Sequence, residues 1–156
     1  MARLKVLAIA VATGKIGYVY LIGEKLKDWG LSRKASVSTE QAAGYAQRLI
    51  NDLKPDVLVT EKVQAESSKS AKTRSLIAAI ERIGEHNYLL DVSVERVKRF
   101  KNKYDEAVAL AERFPELLPW VPKPRRIWEP EPRNTIYFEA LGLALLAISP
   151  RAKSYP

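Results

Sequence analysis

The sequence predicts an α/β fold in which a mixed five-stranded sheet carries helices on both faces. Three observations lead to this prediction. The chain opens with three short apolar runs separated by glycine turns, helix and strand patterns alternate after residue 39, and the last periodic segment is apolar almost all round. The first observation indicates an antiparallel meander, and the other two indicate helices that cover the sheet.

The first three strands follow from the apolar runs and the turns between them. Residues 4–13 are rich in Val, Ile and Ala, as in a buried strand. Gly14 begins a tight turn, after which 16–22 forms the second strand. Gly23 begins another turn before a third strand over 25–32. Strands that follow one another so closely pair antiparallel.

The rest of the chain alternates between helix and strand patterns. Ala42, Ala46 and Leu49 recur at helical spacing, and Pro55 ends that helix. The predicted elements are a helix over 39–53, a strand over 56–60, a basic loop over 62–72, a helix through about residue 85, a strand over 88–92, a possible short helix starting at 94–97, a helix over 105–114, an irregular segment over 115–132 and a buried helix over 134–148. We expect a single domain over 1–150 and a flexible tail over 151–156.

Composition narrows the classes of function. The 156 residues contain no cysteine and one histidine, which excludes disulfides, cysteine nucleophiles and histidine-rich metal centres within one chain. Lysine and arginine number 26 against 18 acidic residues, and the net charge of +8 favours a nucleic acid as partner. The alternative is a basic protein without such a partner. No apolar run reaches the roughly 18 residues of a membrane span, and the N-terminus is a poor signal peptide, so a cytoplasmic location is expected.

Two carboxylates stand where a fold rarely places charge. Glu61 follows directly on the strand at 56–60, and catalytic groups gather at such carboxyl ends. Glu139 interrupts an apolar run in the last helix, where a lone buried charge is costly unless a cation compensates it. A metal ion is one such cation. The alternative is that Glu139 lies on a solvated stripe of the helix and Glu61 only ends a strand.

Basic residues surround these acids in the sequence. Cations interleaved with aromatics around acidic ligands suit a phosphodiester held over metal ions, although each cluster alone is more often a solvated face. The candidate DNA-binding residues form three clusters: Lys62, Lys69, Lys72 and Arg74; Arg96, Lys98, Arg99, Lys101 and Lys103; and Arg125, Arg126 and Arg133, near Trp120 and Trp128.

The order of these segments resembles that of the RuvC-like Holliday junction resolvases, which belong to the RNase H-like nucleases. The resemblance extends over about residues 4–147. The matching segments are Val6 to Thr13 for the first strand, Asp28-Trp29-Gly30 for the third, Asp56 to Val63 for the strand that ends in the catalytic glutamate, Arg96-Val97-Lys98 with Lys103 for the DNA-contacting segment, and Glu139 to Ala144 for the last helix.

The resemblance implies a set of metal ligands that this chain only partly has. The family's first aspartate falls at Ala10. The second acid that some members carry one turn before the last one has no equivalent, because Ile136 is there. Glu131, rather than Glu129, is expected as the additional ligand. With an aspartate at position 10, Glu61, Glu139 and Glu131 would hold two Mg²⁺ ions, which Mn²⁺ could replace.

The leading hypothesis is therefore a structure-specific endodeoxyribonuclease that resolves four-way DNA junctions in recombination and repair. Two symmetric nicks require a two-fold arrangement, so a homodimer is expected. Ala10 cannot bind a metal, so the chain is expected to be inactive. Ala10 is either an introduced change, which the intact Glu61 and Glu139 favour, or native. A native Ala10 indicates a non-catalytic junction-binding protein; a ribosome-associated RNA-binding protein is a third hypothesis that leaves both glutamates unexplained.

Overall fold

The first three strands form the predicted antiparallel meander in a computed structural model, which describes residues 3–64, 69–96, 103–122 and 135–148. Strands β1 (Lys5–Ala12), β2 (Lys15–Ile22) and β3 (Lys25–Ser32) pair in sequence order. Gly14 and Gly23 have φ angles of 79° and 62°, a left-handed conformation that glycine adopts without steric cost. The meander thus supplies three of the five strands of the sheet.

Two parallel strands complete the sheet on the other side of β1. Helix α1 (Thr39–Leu53) connects the meander to β4 (Val57–Glu61), and α2 (Ala71–His86) connects β4 to β5 (Leu90–Val94). β4 pairs with β1 and β5 pairs with β4, both in parallel, giving the strand order β3-β2-β1-β4-β5. The prediction of a mixed five-stranded sheet is confirmed, with β1 at its centre.

Helices cover both faces of this sheet because side chains alternate along its strands. Ala8, Ala10 and Val59 face α3 (Lys103–Arg113) and α4 (Thr135–Ile148), whereas the intervening residues Leu7 and Leu58 face α1 and α2. A 3-10 helix (Lys34–Ser36) lies on the α1 side, and another (Pro115–Trp120) lies on the α3 side. The predicted helices on both faces are therefore present. None of the helices in the described ranges is long and apolar enough to cross a membrane.

The structure differs from the sequence predictions in three places. The strand predicted at 88–92 lies at Leu90–Val94, because Tyr88 has a left-handed φ of 58° in the turn after α2. Val94 therefore ends a strand and does not start the predicted short helix. Part of the segment predicted to be irregular is the helix Pro115–Trp120. The remainder of that segment after residue 122, and the tail at 151–156, lie outside the described residues.

Candidate functional site

Ala10 and Glu61 come together at the carboxyl end of the central strands. Ala8 of β1 is paired with Val59 of β4. Two residues further along these parallel strands, Ala10 and Glu61 reach the same end of the sheet. Ala8 and Val59 face α3 and α4, and side chains two residues apart in a strand point to the same face. The side chains of Ala10 and Glu61 are therefore directed to that face as well. The position predicted for a catalytic aspartate is thus next to the predicted glutamate, but Ala10 brings only a methyl group.

Helix α4 packs against this position very closely. Gly17 lies opposite Ala10 in the β1–β2 ladder. A Cβ added at Gly17 would lie 2.6 Å from Cγ2 of Ile136, so only glycine leaves room for the helix. Ile136 is completely buried in the same apolar cluster as Ala10. The surroundings of Ala10 on this side are therefore apolar at the place where the sequence resemblance implied further acids.

Glu139 is buried in α4, with 8% of its surface exposed, and it meets two cations. Its Oε1 lies 3.8 Å from Nη1 of Arg96 and 3.8 Å from Nζ of Lys103. Arg96 also reaches Glu106 of α3, with Nη2 3.6 Å from Oε1. These cations supply the compensation that a buried carboxylate needs, for which the sequence suggested a metal ion.

Glu61 is paired with a cation from the start of α2. Nζ of Lys69 lies 3.5 Å from Oε1 of Glu61 and donates a hydrogen bond of 3.1 Å to the carbonyl oxygen of Val11. The residue after Lys69 is Ser70, whose side chain caps α2 by accepting a hydrogen bond from the backbone N–H of Thr73. The helix start therefore fixes the position from which Lys69 reaches the ends of β1 and β4.

The other predicted DNA-binding residues that the structure describes lie next to Glu61 in the chain or in the first turn of α2. Lys62 and Arg74 line a cleft of about 280 Å³ together with Glu61. Arg74 donates a hydrogen bond of 2.7 Å to the carbonyl oxygen of Gln64, and Lys72 is exposed in the first turn of α2. Eight predicted residues lie outside the described ranges: Lys98, Arg99, Lys101, Arg125, Arg126, Glu129, Glu131 and Arg133.

Sequence reasoning missed two charged residues near the site. Lys15, assigned to a turn, is the first residue of β2 and is only 9% exposed. Its position two residues before Gly17 directs it toward the α4 face. Glu106 carries no signal in the sequence beyond the usual preference for acids in the first turn of a helix. Its contact with Arg96 is visible only in three dimensions.

The described residues do not form a metal site. No group of three or more His, Cys, Asp or Glu side chains in the described ranges is placed to hold an ion. Another acid, Asp91 of β5, lies on the opposite face of the sheet with Glu81 and Glu85 of α2. Burial, followed by the charge of Glu85, raises the pKa of Asp91, and burial with the charges of Asp91 and Glu85 raises that of Glu81.

The comparisons with known proteins agree on the fold. No protein-family model matches the sequence, and no curated protein matches it. Among solved structures, Thermus thermophilus RuvC superposes with a TM-score of 0.62 at 13% identity, covering 97% of this chain and 98% of that one. The same RuvC in complex with a Holliday junction substrate gives 0.65 at 14% identity, covering 95% and 96%.

One viral and one mitochondrial protein also share the fold. The complex of fowlpox virus resolvase with substrate Holliday junction DNA gives a TM-score of 0.56 at 14% identity, covering 93% of this chain and 97% of that one. The yeast mitochondrial Holliday junction resolvase Ydc2 gives 0.51 at 12% identity, covering 92% and 77%. The resemblance predicted from the sequence is confirmed at the level of structure: this chain has the fold of the RuvC-like Holliday junction resolvases.

Proposed function

We propose that this chain is a resolvase-type protein that binds branched DNA, with the four-way junction as its substrate, and that Ala10 prevents it from cutting. The observation that carries the proposal is the placement of Glu61 beside Ala10 at the end of the central strands, together with the buried Glu139 in α4, a helix that packs on the same strands. Two solved proteins with this fold were determined with Holliday junction DNA. Basic residues on both sides of the two glutamates suit a DNA backbone.

The loss of cleavage follows from the chemistry of position 10. In two-metal nucleases the ions activate a water molecule and stabilise the leaving oxygen. The methyl group of Ala10 offers no oxygen, so we propose that two Mg²⁺ or Mn²⁺ ions bind only after Ala10→Asp. The ligands are then the new carboxylate, Glu61, Glu139 and Glu131. Junction resolution also needs two symmetric nicks, so the proposed working form is a homodimer, and its proposed location is the cytoplasm.

The test is cleavage of a labelled four-way junction by the chain and by its Ala10→Asp variant, each with Mg²⁺ and with EDTA. Paired, Mg²⁺-dependent nicks from Ala10→Asp alone are the expected result. Ala10→Asn is the matched control, because it has nearly the same shape without the charge. Absence of junction binding by all three proteins contradicts the proposal.

The assignment of the two glutamates has its own test in the Ala10→Asp background. Adding Glu61→Gln or Glu139→Gln there should lower nicking by about 100-fold or more, because the charge that the ions require is lost. Junction binding, followed by gel shift in EDTA, should stay within about threefold of the parent, since the basic residues are unchanged. Full nicking activity in either variant would show that the acids are wrongly assigned.

A second function is favoured by the state of the acids in this structure. Glu61 and Glu139 are both paired with side-chain cations, and Ile136 fills the place of a further acid. This arrangement suits a non-catalytic junction-binding protein in which Ala10 is native. Tight junction binding without nicks from either the chain or Ala10→Asp is the outcome that selects this function.

A further inference from the structure

We infer that Lys69 is a built-in cation that takes the place of a metal ion at Glu61, so that this chain holds a DNA phosphate there without a divalent ion. The inference rests on the proposed function for the identity of the DNA. It goes beyond that function because it concerns which cation neutralises Glu61 at the ends of β1 and β4. The contact on which it depends joins the start of α2 to the ends of β1 and β4.

The ammonium group contacts oxygen atoms of the kind that bind a cation. Nζ of Lys69 faces oxygen atoms from two neighbouring strands: Oε1 of Glu61 at 3.5 Å and the carbonyl oxygen of Val11 at 3.1 Å. Val11 directly follows Ala10, so the ammonium lies beside the position where the family's aspartate is replaced. Carboxylate and carbonyl oxygens are also the ligands that Mg²⁺ prefers, but here a lysine meets them.

The carboxylates that form ion pairs at this end of the sheet already have cations as partners. Among the described residues, the carboxylates of Glu61, Glu139 and Glu106 meet three cations, from Lys69, Arg96 and Lys103. A divalent ion binds where negative charge is in excess, and it must displace any cation that already holds the same oxygen atoms. Lys69 and a metal ion therefore compete for Glu61.

The same geometry allows contact with DNA. The side chain of Lys69 is 22% exposed, and that of Glu61 is 12% exposed, so the ammonium lies at the surface of the site. A lysine supplies the positive charge that a phosphodiester requires. It does not generate hydroxide from water at neutral pH as a metal ion does. The inference therefore gives Lys69 a role in binding the phosphate and none in cutting it.

The first test measures metal binding to the free protein, without DNA. Mn²⁺ binding is followed by loss of the electron paramagnetic resonance signal of the free ion, in the Ala10→Asp background. Adding Lys69→Gln should tighten Mn²⁺ binding by about tenfold, because the competing ammonium is gone. Lys25→Gln, which removes an exposed charge at the opposite end of the sheet, should leave it unchanged. Equal Mn²⁺ affinity with and without Lys69 overturns the inference.

The second test measures junction binding by the chain with Ala10, in EDTA and in Mg²⁺ at equal ionic strength. Equal affinity in both is expected, with a loss of about tenfold for Lys69→Gln and at most about twofold for Lys25→Gln. Lys69→Arg keeps the charge and should retain binding, which separates a role in DNA contact from a role in folding. Binding that requires Mg²⁺ overturns the inference. Absence of binding in every condition contradicts the proposed function instead, and the Mn²⁺ measurement then still decides the role of Lys69.

Discussion

Gly17 sets how closely the last helix can approach the site. Its missing side chain lets Ile136 pack directly over the β1–β2 ladder opposite Ala10. We predict that Gly17→Ala lowers the free energy of unfolding by about 1–3 kcal/mol, because the added methyl group must displace Ile136 or move α4. Urea denaturation measures this change.

Gly44 gives the matched control for that prediction. It lies inside α1, and a Cβ at this position would meet nothing within 4 Å. Gly44→Ala should therefore raise the free energy of unfolding by about 0.5–1 kcal/mol, because alanine is the better helix former. Equal effects of the two substitutions would show that α4 does not press on Gly17.

Asp91 carries a prediction about pH. Burial and the charge of Glu85 raise the pKa of Asp91, and one of its carboxylate oxygens is buried without a hydrogen-bond partner in the structure. The pKa of Asp91 is higher in the folded protein than in the unfolded chain, where it is about 3.9. Its contribution to stability is therefore complete below pH 3.9 and is lost as the pH rises through the folded-state pKa. Asp91→Asn should therefore stabilise the protein at pH 7, and the gain should shrink toward pH 4.

The measurement for Asp91 is urea denaturation at both pH values. Glu81 and Glu85 of α2 face the same group, and they remain in the variant. Asp52→Asn, at an exposed position in α1, is the control and should show a smaller change. A loss of stability at pH 7 on Asp91→Asn would show that the carboxylate is favourable where it lies.

At the scale of elements, two serines cap two helices in the same way but stand at different distances from the site. Ser38 accepts a hydrogen bond from the N–H of Gln41 at the start of α1, and Ser70 does so from Thr73 at the start of α2. We predict that alanine at either position costs about 1 kcal/mol of stability. Only Ser70→Ala should also weaken junction binding, because its neighbour is Lys69. Equal junction binding by Ser38→Ala and Ser70→Ala would show that the Ser70 cap does not position Lys69 for DNA binding.

The sequence predicted most elements because their patterns are local. The bounds of β3 and α1 agree with those predicted from the glycine turns, the apolar spacing and Pro55. β5 was displaced because Tyr88, a strand-forming residue, occupies a left-handed turn. The strand pattern alone could not show that the chain turns there before pairing with β4.

The site was predicted less completely than the fold, for a physical reason. Glu61 and Glu139 were found because a charge at a strand end or within an apolar helix is unusual in the sequence itself. The partners of Glu139, at positions 96 and 103, are separated from it by more than thirty residues, and only packing brings them together. Arg96, Lys69 and Lys103 were predicted to contact DNA, a role that stays a prediction, but their ion pairs within the protein were not foreseen.

At the scale of the whole molecule, the net charge of +8 predicts binding to DNA that weakens with salt. The logarithm of the association constant should fall linearly with the logarithm of salt concentration, by about 0.9 for each phosphate contacted. Lys72→Gln should reduce this slope by about 1, because Lys72 is exposed in the first turn of α2, three residues after Lys69. An unchanged slope in fluorescence anisotropy titrations would remove Lys72 from the DNA-contacting surface.

Strands β1 and β2 are synthesised long before α4, the helix that buries one of their apolar faces, and this order affects the nascent chain. β1 and β2 leave the ribosome well before α4, which packs on both. The apolar face of the meander that α4 buries therefore remains exposed until about residue 148 has emerged. Exposed apolar strands of this kind are prone to aggregate and are what chaperones bind. Synthesis stopped before residue 135 should thus release a chain that chaperones retain.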